Sequence, residues 1–294
     1  MPSNRHHPAP VRDELPDTTV VSIDSETDLE TLHVPGQGPA LVFVHGGLGS
    51  LWNHYLQFEY FRGEREIVAY SLAGYGGSSA PPVGSMFEHA KQLRKLLDEL
   101  GVADVVICGW SYGAAIALEY ANEWSVSGLV LGNGADNSLT PWWEPPLVNG
   151  VLASGLYRLF RGETVPKSFL RSRIFHSSMP ESALDKFIET QSLPLPKSSW
   201  EVLRSFWGYD RSDGTHDIEA PTAVVHGPAD GLVPAAAARQ TAGRIPGAVY
   251  CTFERSGHAV MFERPQRYNA LVELVVDSAR TGDELAPLVR ERFG

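Results

Sequence analysis

The stretch Asp104-Val105-Val106-Ile107-Cys108-Gly109-Trp110-Ser111-Tyr112-Gly113-Ala114-Ala115-Ile116-Ala117-Leu118-Glu119 decides how this chain reads. Asp104 to Cys108 is a short apolar, β-branched run of the kind buried on both faces of a parallel sheet, and Tyr112 to Glu123 carries helical spacing. Between them lies the pentapeptide Gly109-Trp110-Ser111-Tyr112-Gly113, a G-x-S-x-G pattern. Alone the string is weakly specific, because a serine capping a helix after a glycine turn looks the same. Placed between a buried strand and a helix, it has the context of a nucleophile elbow. Its glycines permit a tight turn that presents the Ser111 hydroxyl above the sheet.

Outward from this turn the chain alternates. Ala40 to Val44, Glu66 to Ser71, Gly128 to Leu131, Thr222 to His226 and Ala248 to Phe253 are further strand-like runs. Trp52 to Phe61, Met86 to Leu100, Ala235 to Ile245 and Pro265 to Ala279 have helical spacing. The pattern predicts an α/β fold, a mostly parallel twisted sheet with helices on both faces. Thr18 to Ile23 and Glu30 to Val34 read as a hairpin ahead of the turn Pro35-Gly36-Gln37-Gly38-Pro39, and Thr281 to Gly294 as a short extra helix or loose end. From about Asp136 to Asp217 no convincing strand occurs, which predicts a helical cap inserted at 136–217 into a core of 18–135 and 218–294. Within it Val148, Val151, Leu152, Gly155, Leu156, Leu159 and Phe160 share one helical face, with Trp142, Trp143, Trp200, Phe206 and Trp207 adding aromatic bulk. A lid over an apolar pocket and an ordinary packed helix both account for that face.

A serine hydroxyl needs a base of pKa near 7, which selects histidine. His258, in Ser256-Gly257-His258 just past the last strand, is placed to hold an imidazole over the sheet edge. His45 and His226 end strands and read as structural, and His6 and His7 fall in the N-terminal arm. The third partner must accept from the other ring nitrogen. Asp230 follows the penultimate strand and gives the order Ser, Asp, His, with Asp136 the competing acid. An oxyanion needs N–H donors, and His45-Gly46-Gly47-Leu48-Gly49 offers a turn free of bulk. Gly47 and Tyr112 are the expected donors, and Leu48 a substitute, extra donor or substrate contact alongside Trp142 and Trp143.

These residues together resemble the α/β-hydrolase superfamily, specifically its capped, serine-nucleophile group with an H-G-G-x-G oxyanion loop. The likeness spans roughly residues 30 to 280 and rests on His45 to Gly49, Gly109 to Gly113, Asp230 and His258. Two departures stand out: Ser71 where members commonly carry a structural aspartate, and Ala114 where a further glycine often follows the elbow. The resemblance implies hydrolysis of carboxylic esters, lactones, thioesters, N-terminal prolyl peptides or the C–C bonds of β-diketone-like compounds. Members that open epoxides or remove halides use aspartate at the elbow, against which Ser111 argues. A small, largely apolar ester is the first expectation, since the cap has aromatic and aliphatic walls. A C–C hydrolase comes second, and would usually need a cationic clamp that Arg158, Arg161, Arg171 and Arg173 can offer. A non-catalytic ligand-binding protein has no need of serine, aspartate and histidine together.

The bulk properties narrow the field. With 294 residues, 43% of them hydrophobic, the chain has enough apolar material for one large core. A net charge of −11 opposes nucleic acid and anionic membranes. Neither a dinucleotide fingerprint, a phosphate-binding loop nor a metal-ligand spacing is found, so no cofactor and no metal are expected. Cys108 and Cys251 each sit in an apolar run and read as free thiols in a reducing, cytoplasmic setting. Residues 1–17 have no apolar h-region and read as a disordered arm. No apolar run approaches the roughly 18 to 20 residues of a membrane span. The expected partner is a small-molecule substrate, with the chain a monomer or homodimer.

Overall fold

A computed structural model describes residues 17–47, 49–79, 83–137, 143–155, 167–191, 204 and 206–293. Among the described residues eight strands form one sheet: β1 (Thr19–Ser22), β2 (Asp28–Val34), β3 (Gln37–Val44), β4 (Arg65–Tyr70), β5 (Val105–Trp110), β6 (Gly128–Gly132), β7 (Thr222–His226) and β8 (Val249–Thr252). Their order is β1-β2-β4-β3-β5-β6-β7-β8; the first two pairings are antiparallel and the rest parallel. β5 therefore lies in the interior of the sheet, and its end is where Ser111 emerges.

The central strands β3 to β7 are buried on both faces over most of their length, which explains their continuous apolar runs. Leu41, Phe43, Val106, Cys108 and Trp110 point to one face. There they meet Tyr55, Phe58 and Phe61 of α1 (Tyr55–Phe61) and Tyr268, Leu271 and Val275 of the long helix Pro265–Thr281. Ala40, Val42, Val44, Val105 and Ile107 point to the other. They pack on Ala90, Leu93 and Leu97 of α2 (Met86–Leu100) and on Ala114 to Leu118 of α3 (Tyr112–Glu123). Ala114, Ala115 and Ala117 let α3 sit close to the strands.

The turn expected at 35–39 is partly strand. β3 begins at Gln37, whose N–H donates to the Glu64 carbonyl at 3.3 Å, and the register shifts between Gln37 and Leu41. Gly38, at φ +75°, absorbs that irregularity. The tail becomes a helix, Leu285–Phe293, because Leu285 is buried and Phe293 lies on Phe253 at 5.6 Å.

Between β6 and β7 the described elements are helical: α4 (Glu144–Ser154), α5 (Lys167–Phe169) running into a π-helical turn at Leu170–Ile174, α6 (Glu181–Glu189), and a 3-10 turn at Thr215–Asp217. α4 ends at Ser154 and is followed by Gly155 at φ +71°. Val151 is buried; the side chains of Val148 and Leu152, and residues Leu156, Leu159 and Phe160, lie outside the described residues. The later half of this segment packs on the sheet end. Phe187 meets Trp110 at 6.0 Å and Phe262 at 5.1 Å, edge to face, and Phe175 meets Phe262 at 5.9 Å. Among the described residues no helix is long and apolar enough to cross a membrane.

Candidate active site

Ser111 sits at φ 54°, ψ −116°, a conformation that a residue bearing a Cβ rarely adopts. Two backbone bonds hold it there: Ser111 N–H donates to the Gly132 carbonyl at 2.8 Å, and Ala114 N–H to the Ser111 carbonyl at 2.9 Å. The flanking glycines are required sterically. A Cβ on Gly109 would stand 2.3 Å from the Gly113 carbonyl oxygen, and one on Gly113 would stand 2.2 Å from that of Val44. The close packing of β5, α3 and β3 thus fixes the residue types around the serine, and the strained turn presents its Oγ to His258.

Ser111 Oγ–H donates to His258 Nε2 at 2.8 Å, and His258 Nδ1–H donates to Asp230 Oδ2 at 2.8 Å. A carboxylate only accepts, so the imidazole proton is on Nδ1 and Nε2 is the free base. His258 is 2% exposed. Its carbonyl accepts from Trp110 Nε1 at 2.7 Å, and its N–H donates to the Ile174 carbonyl at 2.5 Å. Asp230 has a full set of donors. Leu232 and Val233 N–H reach Oδ1 at 2.8 and 2.9 Å, and Asn133 Nδ2 reaches Oδ2 at 2.8 Å. Burial pushes its carboxyl up, but attraction to His258, the His258 hydrogen bond and the two amides outweigh it and hold the pKa below the usual carboxylate value.

The competing acid goes elsewhere. Asp136 is buried and accepts from Arg244 at 2.9 Å on both oxygens, and its own N–H donates to Thr241 Oγ1. Asn133 is a site residue that spacing does not reveal. It sits at φ 49°, one position past β6, and its amide links Asp230 to the Gly257 carbonyl at 3.1 Å. An asparagine directly after a strand-like run, a residue type that tolerates positive φ, is the trace it leaves in the sequence.

His45 shapes the glycine loop. Leu72 N–H donates to His45 Nε2 at 2.9 Å, so His45 Nδ1–H donates to the Gly46 carbonyl at 2.7 Å. Burial pushes this imidazole down to about 4, so it stays neutral. The Gly46 carbonyl also accepts from Gly49 N–H at 3.1 Å. Those two bonds fix the Gly46–Gly47 peptide, and its trans geometry puts the Gly47 N–H on the opposite edge. The loop lies against the serine: a Cβ on Gly46 would be 3.4 Å from Ser111 Cβ and 2.9 Å from the Trp110 ring. Tyr75 Oη–H holds the Gly47 carbonyl at 2.7 Å. Tyr112 opens α3 directly after Ser111, with its ring 6.1 Å from Phe206. Leu48, Trp142, Trp200, Arg158 and Arg161 lie outside the described residues. Trp143 is 50% exposed, Arg171 is paired with Glu181, and Arg173 donates to the Gly231 carbonyl at 3.3 Å.

A profile described as the alpha/beta hydrolase family matches residues 41–271. The chain belongs to the alpha/beta hydrolase family. Within it, the chain is 28% identical over 256 residues to a pimeloyl-[acyl-carrier protein] methyl ester esterase of Aromatoleum aromaticum, covering 81% of this chain and 98% of that one. It is also 28% identical over 279 residues to a 2-hydroxy-6-oxononadienedioate/2-hydroxy-6-oxononatrienedioate hydrolase of Pseudomonas putida, covering 85% and 92%. A thermophilic esterase from Thermogutta terrifontis shares the fold, with a TM-score of 0.72 at 20% identity over 91% of this chain and 100% of that one. The structure also shows what accompanies Ser71 in this member of the family. Ser71 Oγ–H donates to Glu30 Oε2 at 2.8 Å, and the same oxygen accepts from Gly77 N–H at 2.9 Å. A carboxylate from β2 is therefore anchored to the glycine-rich turn.

Proposed function

We propose that the chain is a serine hydrolase of small, largely apolar carboxylic esters, working through an acyl-enzyme on Ser111. The observation that carries this reading is the Ser111–His258–Asp230 hydrogen-bond chain, both links at 2.8 Å. Ser111 Oγ attacks the ester carbonyl carbon while its proton passes to His258 Nε2, and the Asp230 carboxylate stabilises the imidazolium. The carbonyl oxygen becomes an oxyanion facing the N–H groups of Gly47 and Tyr112. Collapse breaks the bond to the alcohol, which leaves with the proton from His258. Water then gives a proton to His258 and attacks the acyl carbon, and as the bond to Ser111 Oγ breaks His258 returns the proton to it, releasing the acid and free Ser111. In this reading residues 136–217 cap the site, and Trp143, with Trp142 and Leu48, contributes apolar contact. Cys108 and Cys251, free and buried, suit a cytoplasmic setting.

The ester preference has two supports. One relative is named a methyl ester esterase. In addition, a C–C hydrolase of β-diketone-like compounds would usually need a cation for the substrate carboxylate, and of the four arginines named for that role the two among the described residues, Arg171 and Arg173, already have partners. The test is labelling by a fluorophosphonate probe together with turnover of short p-nitrophenyl esters. Labelling at Ser111, abolished by Ser111→Ala, is expected. Folded protein that neither labels nor turns over these esters overturns the proposal.

A further inference from the structure

One buried carboxylate close to this site has a role the mechanism above does not use. Among the described residues Glu263 makes no salt bridge; it follows His258 by five residues, in the short helix Val260–Glu263, and is 4% exposed. Its Oε2 accepts from Gly257 N–H at 2.5 Å and its Oε1 from His176 N–H at 2.8 Å. The first donor is the residue before His258, and the second belongs to the inserted segment. The same stretch of that segment touches the other site loops. The Ile174 carbonyl accepts from His258 N–H at 2.5 Å, and the Arg173 carbonyl accepts from Gly231 N–H at 3.0 Å. The approach is close enough to demand glycine: a Cβ on Gly257 would lie 2.3 Å from the Ile174 carbonyl oxygen, and one on Gly231 would lie 2.8 Å from Arg173 Cα. Residues 173–176 thus form a strap across the turns that carry Asp230 and His258, and Glu263 is the side chain that ties the strap to the histidine turn.

We propose that Glu263 is a positioning residue that sets the His258 imidazole between Ser111 and Asp230 by bridging the Gly257 and His176 amides. The inference rests on the serine-hydrolase reading. A carboxylate suits this bridge because it offers an acceptor on each oxygen, whereas glutamine turns one end into a donor facing an N–H group. Loss of the bridge frees the turn to shift the imidazole, and a misplacement of about 1 Å in a reacting group costs roughly 10² in rate.

The experiment compares Glu263→Gln and Glu263→Asp with wild type and with Glu119→Gln, which breaks the Arg211 pair at the far end of α3. Turnover of a short p-nitrophenyl ester, fluorophosphonate labelling rate and the low-field proton resonance of His258 Nδ1–H are measured on each. Both Glu263 variants are expected to lose kcat by roughly 10² with KM within about threefold, to label more slowly in proportion, and to shift or broaden the proton resonance. Glu119→Gln, although destabilised, is expected to keep all three. If one Glu263 variant does not fold, the other decides. Wild-type protein that labels and turns over while a folded Glu263 variant matches it in kcat and resonance overturns the inference alone. Wild-type protein that does neither overturns the serine-hydrolase reading and this inference with it.

Discussion

Replacing Asp230 by asparagine should disable the site through the histidine's tautomer. Four donors converge on the carboxylate: Leu232 and Val233 N–H on Oδ1, His258 Nδ1–H and Asn133 Nδ2 on Oδ2. Asparagine has one oxygen to offer. The two backbone amides cannot turn away, so the oxygen goes to them and the new NH2 faces the imidazole. His258 then meets a donor at Nδ1, moves its proton to Nε2, and confronts Ser111 with an N–H where a base is needed. In a serine protease this fault costs about 10⁴ in kcat, which is about 5.5 kcal/mol of barrier. Asp136→Asn is the matched comparison, because it weakens a carboxylate of similar burial. Arg244 is partly exposed, so the change should cost about 2 kcal/mol of stability, between the limits for exposed and buried pairs, and leave kcat nearly unchanged. Steady-state hydrolysis of p-nitrophenyl butyrate and thermal unfolding of both variants give the comparison. Equal losses of kcat, or a larger loss in Asp136→Asn, would refute the assignment.

Asn133→Gly removes the amide from Asp230 while suiting the positive φ, so kcat should fall about tenfold, the worth of one charge-assisted hydrogen bond, with little change in Tm. Gly113→Ala drives a Cβ toward the Val44 carbonyl and should cost about 3 kcal/mol in chemical denaturation. Glu263 should leave a signature in the pH dependence of stability. Burial raises its pKa from 4.5 to about 7 against the pull of the Gly257 and His176 amides, so the folded state holds this proton more tightly than the unfolded chain. Its contribution is therefore best below pH 4.5 and declines as pH rises to about 7, by roughly 3 kcal/mol. Urea unfolding across that window should show this slope reduced in Glu263→Gln; an unchanged slope contradicts the assignment.

The centre of the sheet was legible because β3 to β7 are buried on both faces over most of their length, so each appears as an apolar run bounded by turn residues. Ser111 was legible for a local reason: the close approach of Gly109 and Gly113 to neighbouring backbone leaves a mark within five residues. His258 and Asp230 could be placed by strand ends, and the structure brings both to Ser111. Asn133 and Glu263 left no such mark. Each acts on a segment distant in sequence or through backbone amides, whose positions depend on tertiary packing rather than on spacing. The start of β3 was misplaced for a similar reason, since Gly36-Gln37-Gly38-Pro39 has the composition of a turn while Gln37 is recruited by its neighbour Arg65.

The attachment of the segment between β6 and β7 bears on how such a chain can be recombined with its relatives. Thr190 accepts from Asn53 Nδ2 through Oγ1 and from Ser50 Oγ–H through its carbonyl, while residues 173–176 bind the turns of Asp230 and His258. Exchanging 136–217 as a cassette between family members would therefore transplant part of the scaffold of the reacting groups. A chimera meant to change substrate preference alone should keep 167–190 with the host and draw its junctions closer together, within 143–155.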